Sequence, residues 1–134
     1  MRLAAAVAGA ALLALLGQLA SACDLPALSE RVDTPGHRLA LATEPRVVRP
    51  GAFFAVLLAV CPRDEKATVE SVRIDAHMPE HRHGMNYTPR VVAAGPGQYR
   101  SEGFMFHMPG RWEFVIELRG GGRSERATLS RRVE

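Results

Sequence analysis

The sequence is short of several things that would narrow its function at once. It holds two cysteines, Cys23 and Cys61, and no paired C-x-x-C. It has one lysine, Lys66, against sixteen arginines, and the basic residues form no long run. With a formal net charge of +3, this balance gives no reason to expect a nucleic-acid partner. There is no G-x-S-x-G elbow, no Gly-rich phosphate loop and no H-E-x-x-H. At 134 residues the chain is one domain's worth, which excludes a multi-domain protein, a large enzyme and a polytopic membrane protein.

Polar side chains are missing altogether from residues 3–16, LAAAVAGAALLALL. Met1-Arg2 precedes this run, Gly17-Gln18 breaks it, and Ala20-Ser21-Ala22 supplies small residues where a signal peptidase reads. The layout predicts a signal helix over residues 1–22 and an exported chain, in the periplasm or on the outer face of the membrane. The run is short for a membrane span. Contact with the membrane is expected only through the signal or a lipid anchor. Cys23 would be the first mature residue. It suits either a lipobox, with Ala20 where leucine is usual, or a disulfide to Cys61. The two uses exclude each other, because a lipid thioether consumes the thiol.

Helical periodicity is nearly absent from the rest. Residues 23–37 read as a tether, with Pro26, Pro35 and Gly36 and no period. From residue 38 to 134 strand signals recur between turn residues. Arg38 to Thr43 alternates, with Leu39 and Leu41 on one face, and Phe53 to Val60 is an apolar run of strand length. Val72, Ile74, Ala76 and Met78 alternate with Arg73, Asp75 and His77. Residues 79–89 read as a loop, Arg90 to Ala93 as a short strand, and Tyr99 to Met108 as one or two strands around Gly103. Trp112 to Leu118 and Arg123 to Val133, joined by Gly120-Gly121-Gly122, predict a closing hairpin. The expected fold is all-β, an antiparallel immunoglobulin-like sandwich of about seven strands, with a small barrel as the alternative.

The chemistry-bearing residues are unevenly placed. Four of the five histidines, His77, His81, His83 and His107, lie between residues 77 and 108, together with Met78, Met85, Met105 and Met108. Imidazole and thioether together suit copper, with thioether favouring Cu(I). In an extended strand His77 projects away from Met78, which shares the core face of Ile74 and Ala76. A metal site would therefore assemble from His81, His83, Met85 and His107. The competing reading is that strand methionines fill the core and loop histidines are solvated. Catalysis is not expected. Cys61 precedes proline after an apolar run, and Asp75 and Glu80 read as a solvent-facing charge and a loop charge.

Four short runs carry a resemblance. Asp75-Ala76-His77-Met78-Pro79-Glu80-His81-Arg82-His83-Gly84-Met85-Asn86 is followed by Gly97-Gln98-Tyr99, Gly103-Phe104-Met105-Phe106 and Met108-Pro109-Gly110-Arg111-Trp112-Glu113. The pattern resembles the YtkA-like domain family. The resemblance implies a small exported immunoglobulin-like sandwich. It also implies an association with heavy-metal handling and respiratory-oxidase assembly, hence copper. By position it marks His81, His83 and Met85. His107 comes from the residue reading alone. The alternative is a metal-free, non-enzymatic interaction module whose 79–89 loop and a sheet edge contact an envelope protein partner.

Overall fold

A computed structural model describes residues 29–134 of the chain. Residues 1–28, which hold the expected signal helix and Cys23, lie outside the described residues. Nine strands form two antiparallel sheets: β1 (Glu30–Asp33), β2 (His37–Glu44), β3 (Phe53–Pro62), β4 (Ser71–Met78), β5 (His83–Gly84), β6 (Arg90–Gly95), β7 (Gln98–Met105), β8 (Gly110–Gly120) and β9 (Arg123–Val133). One sheet has the order β1-β2-β3-β7-β6 and the other β5-β4-β8-β9. The arrangement is a β-sandwich, and the barrel alternative falls away. β1 lies within the stretch expected to be a tether and pairs with β2 from Glu30↔Leu41 to Asp33↔Arg38.

The core follows from the alternation. Leu39, Leu41, Val56 and Leu58 from one sheet meet Ile74, Phe114, Ile116 and Leu118 from the other, all buried. At one end the filling is aromatic: Phe54, Phe104, Phe106, Phe114 and Trp112 pack together, and Phe106 stacks on Trp112 at 4.4 Å with an 8° interplanar angle. Burying one such ring stabilises by roughly 2–3 kcal/mol.

β7 carries a bulge. Phe54 pairs with Phe104 but Val56 pairs with Ser101, so β7 uses one residue more than β3 over this stretch. Gly103 sits there at φ 90°, a left-handed conformation that suits glycine. The extra residue reverses the pleat, so Ser101 and Phe104, three apart, both face inward.

Two polar contacts tie β9 across to the other sheet. Arg131 pairs with Glu30 of β1, donates to Thr43 Oγ1 of β2 at 2.7 Å and lies 5.6 Å over the Phe114 ring. At the far end of β9, His37 Nδ1 lies 2.6 Å from Glu125 Oε2. Cys61, near the end of β3, is buried and is not a free thiol.

Candidate metal centre

The hairpin from β4 to β5 builds the first half of the site. Pro79 follows the last residue of β4, because proline has no N–H to continue the ladder. The His81 N–H donates to Met78 O at 3.2 Å and closes the turn. Arg82 then takes a φ of 55°, which reverses the chain and lets His83 pair with Met78 and Gly84 with His77. Residues expected to lie in an open loop thus form a tight return. It fixes where the His83 ring sits.

The second half comes from the β7–β8 connection. Phe106 is buried and His107, the next residue, is exposed, as the expected alternation requires. The Trp112 indole N–H donates to Met108 O at 3.0 Å, which pins this connection to β8. Gly110, at φ 132°, makes room for the end of Met78: a Cβ there would lie 2.6 Å from Met78 Cε.

These two halves bring three imidazoles into a row. The His81 and His83 ring centroids are 5.7 Å apart, and those of His83 and His107 are 5.0 Å apart. Trp112 forms the floor, edge-on to His83 at 5.9 Å and to His107 at 5.3 Å. Two imidazoles on one ion at metal–nitrogen distances of about 2 Å place their centroids about 5–6 Å apart. Both neighbouring pairs fall in that range, and His83–His107 is the one that also lies over Trp112. His83 Nδ1 sits 3.1 Å from Gly84 O, which leaves Nε2 as its outward nitrogen. Met85 and Met108 are half-buried against the adjoining core. Among the described residues, no three His, Cys, Asp or Glu side chains are placed as ligands of one ion. No nitrogen triad is in place, so a metal site here would have to draw on thioether sulfur as well as imidazole.

Other sequence candidates go elsewhere. Met78 is core, and His77 lies on the outer face of its sheet, with Nε2 3.6 Å from Glu113. Glu80 pairs with Arg111 and Asp75 with Arg73, so neither carboxylate faces the other as an acid–base pair would. In the sequence Trp112 reads only as the start of the closing hairpin, and its place under two histidines needed the fold.

The family model described as YtkA-like matches residues 36–117, more than half of the chain. The chain belongs to the YtkA-like family. No curated protein and no solved structure matches it. The matched range of this YtkA-like chain runs from just before β2 to Glu117 within β8, so it contains the whole histidine row.

Proposed function

We propose that this YtkA-like protein is a non-enzymatic, exported copper-binding module of the cell envelope that holds Cu(I) and passes it to a partner protein. The observation that carries the reading is the His83–His107 centroid separation of 5.0 Å above Trp112. The donor chemistry supports Cu(I) over Cu(II) or Zn(II). Soft thioethers and two imidazoles satisfy the low coordination number of Cu(I), whereas the divalent ions prefer more nitrogen or oxygen ligands. The nearby carboxylates of Glu80 and Glu113 face Arg111 and His77.

The sole tryptophan provides the assay. Trp112 touches both rings, so a Cu(I) or Ag(I) ion held by them should quench its fluorescence at one equivalent. Competition with a Cu(I) chelator should give a Kd well below about 1 μM. His83→Ala combined with His107→Ala should weaken binding at least tenfold. A Kd weaker than micromolar, or one indifferent to the double substitution, defeats the reading.

A second reading has its own observation. Phe53 and Tyr87, the latter within the 79–89 loop, are exposed yet meet edge to face at 5.0 Å. A protein partner docking on that pair would be captured by the wild type, lost with Tyr87→Ser, and unaffected by chelators.

A further inference from the structure

The opposite end of the sandwich holds a cavity of about 260 Å³, bounded by the β1–β2 turn, the 64–68 turn and the β8–β9 hairpin. His37, the one histidine outside the metal cluster region, lines it. The cavity has a tightly built frame. A Cβ on Gly36 would meet Glu125 Oε1 at 2.8 Å, and one on Gly120 would meet Thr68 O at 2.1 Å. Glycine at these two positions is what allows the walls to close.

The Glu125 carboxylate is fully engaged inside this frame. Oε1 accepts from the Gly36 N–H at 2.7 Å, and Oε2 accepts from the Thr34 hydroxyl at 2.8 Å and from His37 Nδ1 at 2.6 Å. One oxygen of Asp64 is engaged too, by the Lys66 backbone N–H at 2.8 Å. The donors are not engaged. Lys66 and Arg123 are exposed, line the cavity, and have no ion-pair partner among the described residues. His37 is 4% exposed, and its Nε2 is buried without a hydrogen-bond partner. An orphaned polar atom at such a depth costs stability unless something satisfies it.

We infer that this cavity is a binding site for a small oxyanion that also carries a hydroxyl, a hydrogen phosphate or a short hydroxycarboxylate, held by Lys66 and Arg123 and donating its O–H to His37 Nε2 at the base. Its volume is just below the ~300–1,000 Å³ of drug-sized pockets, which fits an anion of a few heavy atoms. The inference is independent of the copper reading, because the two places are at opposite ends of β8 and share no residue.

Lys66 is the chain's single lysine, so reductive methylation with ¹³C-formaldehyde gives one side-chain NMR signal at the site, distinct from that of any free α-amine. The protein is titrated at constant ionic strength with inorganic phosphate and, separately, with glycolate. A saturable shift of the Lys66 methyl signal and of the His37 imidazole signals with either probe supports the site, and the probe that saturates at lower concentration identifies the anion class. Lys66→Gln with Arg123→Gln changes only exposed side chains, so the fold should survive. It should weaken the His37 response at least tenfold. Shifts that stay linear to ~10 mM with both probes, or an undiminished His37 response in the double variant, overturn the proposal.

Discussion

His37 Nδ1 and Glu125 Oε2 lie 2.6 Å apart, joining the first residue of β2 to a β9 residue 88 positions away in the chain. Burial alone would raise the Glu125 carboxyl. The hydrogen bonds from His37, Thr34 and Gly36 together outweigh it and hold the group below the usual carboxylate range. A carboxyl with a depressed folded-state pKa stabilises the protein above its unfolded pKa, and that contribution is lost as pH falls through the folded value. Urea unfolding of the wild type should therefore show declining stability below about pH 4. Glu125→Gln should start less stable at pH 7 and decline less on acidification. Glu125→Ala leaves the buried His37 Nδ1 and the Thr34 hydroxyl without their acceptor and should cost about 1–3 kcal/mol at pH 7.

The Phe106–Trp112 stack joins the core to the histidine row. Phe106→Ala should cost about 3–5 kcal/mol in chemical denaturation. Trp112→Phe keeps most of the packing but removes the donor to Met108 O, so it should cost about 1–2 kcal/mol. If the loss for Trp112→Phe equals that for Phe106→Ala, the indole N–H has a larger part than this assigns.

Gly110 is placed by Met78. Gly110→Ala forces a side chain into a left-handed backbone and against Met78 Cε, and should lower stability by about 1–3 kcal/mol. Met78→Ala in the same background should recover part of the steric loss but none of the backbone strain. Thermal melts of the two single variants and the double variant form the cycle that checks this.

Cys61 supplies a chemical prediction. Its sulfur is buried and not a free thiol. Iodoacetamide added to the purified protein unfolded in guanidinium should leave Cys61 unmodified until a reductant is present. Alkylation of Cys61 without reductant, accompanied by a diacylglyceryl adduct on Cys23, would assign the lipid anchor instead.

Strands with strict alternation were legible because each buries one face along most of its length. β4 and β8 are the clearest, where Ile74 and Ile116 face inward while Arg73 and Glu117 pair outside. β1 was hidden because Val32 is its only apolar residue and its strand form depends on pairing with β2. β5 was hidden because two residues carry no period, and a single left-handed residue, Arg82, creates it. Gly103 marked a break in β7, but the resulting inward turn of both Ser101 and Phe104 required the β3 register. The histidine concentration was visible in the sequence. The convergence of His83 and His107 came from strands β4 and β8 lying side by side. His37 read as the end of a tether because its partner, Glu125, is so distant in the chain.

β8 spans both proposed sites: Trp112 stands under the imidazoles and Gly120 borders the cavity. Eight residues of extended backbone separate them by about 26 Å at roughly 3.3 Å per residue. Mobile ions screen charge over about 8 Å at physiological strength. A cation loaded at one end and an anion at the other would therefore ignore each other's field, and each occupancy would add to the melting temperature as though the other were vacant.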